Sequence, residues 1–299
     1  MSNLKTKDIK GIITAIITPF KENRVDKKAY KNLIDMQIKA GINGVVPCGT
    51  TGESATLDFD EHEMMIDYTL ELVDHKMFVI AGTGSNNTKE AIRLSKHAQK
   101  AGADAILTIT PYYNKPTQNG MYEHFRAIAE SVDIPVILYN VPGRTGVNML
   151  PETVARLSEI KNIIGIKEAT GSLQQMTETM KVCREGFIIL SGDDFTALPS
   201  IAIGAKGVIS VTSNIVPDKM VEMYKAYEKG DMKKAIAINL ELWPLHNAMF
   251  IESNPIPVKA AAHLMGWITD EIRLPLTPLS GANLNKLKAV MVAQGLING

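Results

Sequence analysis

Short runs rich in isoleucine and valine recur along this chain at intervals of about 20 to 35 residues, with a helix-length stretch of mixed polarity between them. Several runs are apolar throughout rather than alternating, which is typical of parallel strands that are buried on both faces of a sheet. The sequence therefore predicts eight parallel strands, at residues 12–18, 44–48, 78–82, 105–110, 135–140, 163–167, 187–191 and 208–211.

A seven-residue pattern recurs where three of these strands begin, at residues 40–46, 101–107 and 203–209. Glycine in its second place suits the left-handed conformation that closes a helix, and a small residue in its fifth place lets the strand enter a crowded sheet. Eight β/α units in about 215 residues fit a (β/α)8 TIM barrel better than a doubly wound sheet, which usually has five or six strands.

The strand signal stops after Ser213. Beyond it, residues 218–229, 231–250, 257–264 and 284–296 have the pattern of helices, with proline-rich connectors at 254–257 and 274–278. The sequence thus predicts a catalytic barrel over residues 1–213 and a C-terminal helical region over residues 214–299.

Charge and apolar content exclude several classes of protein. The 299 residues carry 32 basic and 32 acidic side chains, so no positive surplus favours nucleic acid as a partner. The first apolar stretch, residues 11–20, is far shorter than the ~18 apolar residues that a membrane span needs. Cys48 and Cys183 form no paired motif, which fits a reduced, cytoplasmic protein. The six histidines are scattered, so no metal site is predicted.

Lys167 ends the sixth predicted strand, and barrels of this kind carry their active sites at that end of the strands. A lysine that points inward there loses hydration, which favours its neutral, nucleophilic amine and allows an imine with a carbonyl compound. The alternative is a side chain that points into water or pairs with Glu168.

The loop after the second strand, Gly-Thr-Thr-Gly-Glu-Ser at residues 49–54, offers hydroxyl groups and backbone N–H donors for a small carboxylate. Thr50 and Glu53 also fit a capping box, so the alternative is the start of a helix. Asp58 and Glu61 form a second box, where the longer helix more naturally begins, and this leaves the first segment as a loop with spare donors.

Polar side chains also follow the fourth, fifth and seventh strands. Tyr139 can pass a proton and Arg144 can bind a carboxylate, although an ordinary turn with a solvated arginine is the alternative. Paired tyrosines between prolines, at residues 111–116, often serve an interface. For Asp193 and Asp194 the sequence favours helix capping over a metal, since adjacent aspartates usually point apart.

Taken in order, eight segments of the chain resemble the dihydrodipicolinate synthase / N-acetylneuraminate lyase family. They are residues 49–57, 110–114, 139–142, 144–146, 164–169, 191–194, 207–210 and 254–259. Each is weak alone, but their order and spacing are specific, and together they span nearly the whole chain. The resemblance implies a class I aldol condensation of pyruvate with L-aspartate 4-semialdehyde. The product would be 4-hydroxy-tetrahydrodipicolinate, a step of lysine and diaminopimelate biosynthesis.

The resemblance also implies which residues carry the chemistry. Lys167 would form a covalent imine with pyruvate, so no separate cofactor is expected. Thr50 and Tyr139, together with Tyr113 from a neighbouring subunit, would form the proton relay between carbinolamine, imine and enamine. A tyrosine that acts across an interface requires at least a dimer, and the family is commonly a homotetramer built from two tight dimers.

Three further positions would bind the substrates by the same resemblance. Thr51 and the backbone near Ile209 would hold pyruvate, and Arg144 would clamp the carboxylate of the semialdehyde. Sialic acid lyases have a Ser-Thr pair where Thr50 and Thr51 stand here and lack this arginine, so the synthase reaction is preferred within the family.

Feedback inhibition by L-lysine is a further expectation from the resemblance. The positions that match the inhibitor pocket of lysine-sensitive relatives are Ala55, Phe59, His62, Asn86, Glu90 and Tyr112. Most suit a ligand with both an ammonium and a carboxylate group. Phe59 departs from the pattern, because a histidine occupies that position in an inhibited relative.

Two other functions compete with this interpretation. One is another pyruvate-dependent aldolase on the same scaffold, acting on a 2-keto-3-deoxy sugar acid or sialic acid. The other is a catalytically silent, ligand-binding relative, whose expected mark is loss of the lysine or the relay tyrosines, and neither is lost here. A nicotinamide-binding barrel is disfavoured because no glycine-rich dinucleotide motif follows the first strand.

Overall fold

The eight predicted runs form a closed parallel barrel in the computed structural model, which describes residues 9–299. The strands in chain order are β1 (Gly11–Ala15), β2 (Phe20–Lys21), β3 (Arg24–Val25), β4 (Gly44–Val46), β5 (Phe78–Gly82), β6 (Ala105–Ile109), β7 (Val136–Asn140), β8 (Ile163–Glu168), β9 (Ile188–Ser191) and β10 (Gly207–Ser210). The barrel runs from β1 through β4 to β10 and closes by pairing β10 with β1. Strands β2 and β3 form a separate hairpin that the sequence did not predict.

The first barrel strand ends at Ala15 rather than at residue 18. The Ile16 N–H still donates to the Val46 carbonyl of β4 at 3.2 Å, but the Asn214 side chain takes the place of a strand partner on the other side. The Asn214 side chain accepts from the Ile17 N–H at 3.1 Å and donates to the Ala15 carbonyl at 2.8 Å. Since Asn214 lies after the last barrel strand, no local pattern around residue 15 could reveal this termination.

Helices alternate with the barrel strands and then continue alone at the C-terminus. They are α1 (Lys27–Ala40), α2 (Phe59–Val73), α3 (Thr88–Ala101), α4 (Gln118–Glu130), α5 (Pro142–Thr145), α6 (Pro151–Ser158), α7 (Leu173–Val182), α8 (Ala197–Ala202), α9 (Pro217–Glu228), α10 (Met232–Ala248), α11 (Ile256–Leu264) and α12 (Gly281–Ala293). The four predicted C-terminal helices correspond to α9–α12. The division of the chain at residue 213 stays a prediction, and its first eight residues lie outside the described part. No helix within residues 9–299 has both the length and the apolarity to cross a membrane.

The seven-residue pattern acts as predicted. Gly41, Gly102 and Gly204 close their helices with φ of +79°, +97° and +125°. The fifth residue of the pattern must be small because the neighbouring strand is close. At Gly207, a Cβ would lie 2.0 Å from the Gly11 carbonyl oxygen.

Two apolar clusters fill the structure. One lies inside the barrel and includes Ile13, Ile80, Ile137 and Leu190, while a larger one lies between the strands and the surrounding helices. Because side chains alternate along each strand, every strand end offers one residue to the barrel mouth and the next to the helix layer. This alternation determines which polar residues can meet at the mouth.

Candidate active site

A cavity of about 630 Å³ opens at the carboxyl ends of the barrel strands. Five residues predicted to act on the substrates line it, and they are Thr50, Thr51, Tyr139, Arg144 and Lys167. The strand ends bring together side chains that are more than 100 positions apart in the sequence. Ile209 is fully buried within the barrel core, and its side chain does not line the cavity.

Lys167 points into this cavity. Its β8 position pairs with Tyr139 of β7, its side chain is only 7% exposed, and its Nζ lies 4.2 Å from the centroid of the Tyr139 ring. The two alternatives considered from the sequence, a solvated lysine and a pair with Glu168, therefore do not hold. A primary amine beside a phenol in a buried pocket is suited to attack a carbonyl group and to exchange protons with the hydroxyl.

The residues next to Tyr139 and Lys167 point the opposite way and form a buried polar network. Asn140 donates to the Glu168 carboxylate at 3.3 Å, and the Thr170 N–H donates to it at 2.9 Å. Burial raises the pKa of the Glu168 carboxyl, although these donors, together with Gln175, oppose the shift. This network joins β7 and β8 directly behind the two residues that face the cavity.

Asp193 is a carboxylate of the cavity that the sequence misassigned. It occupies the N-cap position of the short 3₁₀ helix Asp194–Thr196, but its side chain makes no capping hydrogen bond and instead lines the cavity. Burial raises the pKa of the Asp193 carboxyl, and the charge of Lys167 opposes this shift. Asp194 is buried and accepts from the N–H groups of Val211 and Thr212, each at 2.9 Å. The prediction of helix capping is therefore wrong for Asp193, whereas Asp194 binds the N–H groups at the start of the 3₁₀ helix Thr212–Asn214.

The threonine loop, residues 49–54, is a turn followed by one short 3₁₀ helix, and α2 begins later. Asp58 and Glu61 form the reciprocal capping box at the start of α2, as predicted. Thr51 is buried, and its hydroxyl accepts from the Asn254 side chain at 2.9 Å. Asn254, just before α11, was not recognised from the sequence as a site residue.

Arg144 lies at the exposed rim of the cavity, on the short helix α5. Its guanidinium donates to the Asn254 carbonyl at 3.0 Å. Asn254 therefore contacts both Thr51 and Arg144, the residues predicted to bind the two different substrates. The C-terminal region thus completes the wall of a cavity whose other residues come from the barrel.

Tyr113 stands apart from the other predicted catalytic residues. Its side chain is 90% exposed, its backbone φ is +68°, and it does not line the cavity. A positive φ is uncommon for a bulky residue, and the exposure shows that the side chain packs on no surface of its own chain. Within one chain, Tyr113 is therefore not part of the site.

Five of the six positions of the predicted lysine pocket line the same cavity, and they are Ala55, Phe59, His62, Glu90 and Tyr112. His62 Nε2 donates to the Gly82 carbonyl at 2.7 Å, and burial lowers the pKa of His62. Glu90 accepts from the Ser85 hydroxyl at 2.8 Å.

The sixth pocket position, Asn86, lies beside Tyr112. The Asn86 side chain donates to the Tyr112 carbonyl at 3.2 Å. Phe59 lines the cavity with 37% of its surface exposed, and the Arg93 guanidinium lies 4.3 Å from the centroid of its ring.

Comparison with known proteins identifies the family. The sequence pattern of the dihydrodipicolinate synthetase family matches residues 8–294. The chain belongs to this family.

Members of the dihydrodipicolinate synthetase family match nearly the full chain. The 4-hydroxy-tetrahydrodipicolinate synthase of Syntrophus aciditrophicus is 56% identical over 288 residues, which cover 96% of this chain and 99% of that protein. The chloride-inhibited dihydrodipicolinate synthase of Acinetobacter baumannii, complexed with pyruvate, has a TM-score of 0.94 at 46% identity, covering 97% of this chain and 100% of that one. The lysine-bound enzyme of Cyanidioschyzon merolae has a TM-score of 0.93 at 40% identity. The match covers 96% of this chain and 99% of that one.

Membership of the dihydrodipicolinate synthetase family confirms the resemblance, the barrel fold and an enzyme of the lyase type. The roles of individual residues stay predictions. Within residues 9–299, no group of three or more His, Cys, Asp or Glu side chains is arranged to hold a metal ion.

Proposed function

We propose that the protein condenses pyruvate with L-aspartate 4-semialdehyde to 4-hydroxy-tetrahydrodipicolinate through an imine on Lys167. The overall reaction is supported by curated relatives of that name at 54–56% identity over 96% of this chain. The imine is supported by one observation above all, the burial of the Lys167 amine in the cavity against the Tyr139 ring.

The reaction begins when the neutral Lys167 amine attacks the keto carbon of pyruvate. The carbinolamine then loses water to give an imine, and loss of a proton from the pyruvate methyl group gives an enamine. The enamine carbon attacks the aldehyde of the second substrate. The amino group of that substrate finally displaces Lys167 and closes the ring, which regenerates the free amine.

Proton transfers accompany each of these steps, and hydroxyl groups near Lys167 can carry them. Tyr139 lies against the Lys167 amine, and Thr50 lines the same cavity. We assign the third relay position to Tyr113 of a second subunit, because this side chain projects from its own chain and can reach a neighbour. Such a relay requires at least a dimer, and the homotetramer expected from the sequence is part of the proposal.

Substrate binding follows from the charges at the mouth of the cavity. Thr51 and the backbone near Ile209 hold the pyruvate carboxylate, while the exposed Arg144 binds the carboxylate of the semialdehyde by paired hydrogen bonds. The semialdehyde also carries an ammonium group, and Asp193 is the carboxylate beside Lys167 that can pair with it. Because the imine itself acts as the electron sink, no separate cofactor is needed. A cytoplasmic location remains a prediction.

Trapping of the imine tests the central step. Incubation with pyruvate and borohydride should add one reduced pyruvate to the protein, and intact mass spectrometry with peptide mapping should place it on Lys167. Lys167→Ala should show no adduct and no turnover in a product-coupled assay. An unmodified parent at saturating pyruvate, or comparable turnover in Lys167→Ala, would refute the proposal.

We also propose L-lysine as an inhibitor that binds at the end of the cavity lined by Ala55, His62, Glu90 and Tyr112. The Glu90 carboxylate can pair with a ligand ammonium group, and the Tyr112 and Phe59 rings offer faces for the same charge. Millimolar L-lysine should lower the initial rate at subsaturating pyruvate, and Glu90→Gln should weaken this effect. An initial rate that L-lysine leaves unchanged would contradict the proposal.

A further inference from the structure

A buried ion pair joins the C-terminal helices to the threonine loop. Lys259 on α11 and Glu53 at the end of the loop are 206 positions apart, and their side chains are only 3% and 1% exposed. Burial lowers the pKa of Lys259, and the charge of Glu53 opposes that shift. Since taking two charges out of water is costly, a buried pair is weak evidence for stability and needs another reason to be present.

The backbone of the loop suggests that reason. Glu53 has φ of +55° and Cys48 has φ of +53°, so left-handed conformations that non-glycine residues rarely adopt occur at both ends of the threonine loop. Such conformations persist only where the surrounding structure holds them. For Glu53 the holding contacts are Lys259 on one carboxylate oxygen and the Arg273 N–H on the other, at 3.2 Å.

The C-terminal region fixes the loop at a second point. Asn254, two residues before α11, donates to the Thr51 hydroxyl at 2.9 Å. On the barrel side, the Thr18 hydroxyl donates to the Gly52 carbonyl at 2.8 Å. The side chains that hold the loop therefore come from the segment after β1 and from the C-terminal region. Among these contacts, the one between charged groups is the Glu53–Lys259 pair.

We infer that the Glu53–Lys259 pair is a positioning device that holds Thr50 and Thr51 in the arrangement that accepts the keto acid. The inference rests on the proposed function, since it assigns these threonines to pyruvate. It predicts that loss of the pair raises the pyruvate concentration needed for half-maximal imine formation, even when the protein remains stably folded.

The double variant Glu53→Gln/Lys259→Met separates positioning from stability. It leaves no unpaired buried charge, and the introduced amide oxygen can still accept from the Arg273 backbone N–H, so its thermal midpoint should fall less than that of either single variant. Half-maximal borohydride trapping should nevertheless require at least tenfold more pyruvate. The KM for the semialdehyde should stay within threefold, because Arg144 contacts the backbone of Asn254 rather than Glu53. A general loosening of the fold would instead raise both the pyruvate concentration for half-maximal trapping and the KM for the semialdehyde.

The matched control is Glu222→Gln, which removes an exposed ion pair with Lys234 from the same C-terminal region. Glu222→Gln should change neither the pyruvate concentration for half-maximal trapping nor the KM for the semialdehyde. If the double variant does not fold, Glu53→Asp provides the same test, because it keeps the charge but moves the carboxylate by one methylene. Parental half-saturation for pyruvate in either folded variant would overturn the inference. Failure of the parent to trap pyruvate would instead refute the proposed function.

Discussion

Gly82, the last residue of β5, lies against the backbone that leads into the threonine loop. A Cβ at this position would lie 2.3 Å from the Cys48 carbonyl oxygen and 2.7 Å from its carbonyl carbon. These atoms are backbone and cannot rotate away as a side chain would. For Gly82→Ala to fold, the Cys48 peptide must move by roughly 1 Å to restore ordinary van der Waals separation.

This displacement should lower activity more than stability. Inserting one methyl group into a packed region typically costs about 1–3 kcal/mol. A shift of about 1 Å in catalytic groups can reduce turnover by about a hundredfold. Since Thr50 and Thr51 closely follow Cys48, we expect kcat/KM for pyruvate to fall by one to two orders of magnitude, that is about 10- to 100-fold.

The assay compares kcat/KM for pyruvate with the thermal midpoint in the parent, in Gly82→Ala and in Gly281→Ala. Gly281 is a fair control because a Cβ there meets nothing within 4 Å. It should leave both quantities unchanged. If Gly82→Ala lost stability but kept kcat/KM within twofold of the parent, the position of the threonine loop would not limit the reaction.

Substitutions at three other positions have distinct expected effects. Arg144→Ala should raise the KM for the semialdehyde at least tenfold while pyruvate trapping stays parental, and equal losses for both substrates would contradict its assignment. Burial lowers the pKa of His124 to about 4, so its contribution to stability should be complete above the unfolded pKa of about 6.5 and lost as the pH falls through 4. The loss amounts to about 3 kcal/mol. The denaturation midpoint of His124→Gln should therefore depend less on pH between about 6.5 and 4 than that of the parent, and parallel pH profiles of parent and variant would refute this. Gly207→Ala should lower the denaturation midpoint by an amount equivalent to about 1–3 kcal/mol or more, because its Cβ would meet the Gly11 backbone, and an unchanged midpoint would contradict the close packing of β1 and β10.

The barrel strands could be predicted because each is a local pattern with a local cause. A run buried on both faces must be apolar, and the glycines at positions 41, 102 and 204 mark the preceding helix ends through their own φ angles. The hairpin of β2 and β3 escaped prediction because its strands have only two residues each, which is too short for any periodicity.

The candidate site was predictable where a residue ends a strand or lies in the segment directly after one, as Thr50, Thr51 and Arg144 do. Lys167 and Tyr139 were found because parallel strands bring their carboxyl ends to one mouth. Asp193 was misassigned because a pair of adjacent aspartates does not reveal which carboxylate faces the cavity. The orientation depends on how the chain leaves β9 and on the burial of Asp194 beneath the backbone of Val211.

The amino-acid sequence alone determined where most strands lie and where helices close, since both depend on neighbours within a few positions. Lys167 was named as the nucleophile from its place at a strand end and from the family resemblance. Only the tertiary structure decided that Lys259 pairs with Glu53 and that Asn254 contacts both Thr51 and Arg144. These contacts join parts of the chain separated by more than 100 residues. Their energies depend on burial and distance, quantities that exist only after the C-terminal helices have packed onto the barrel.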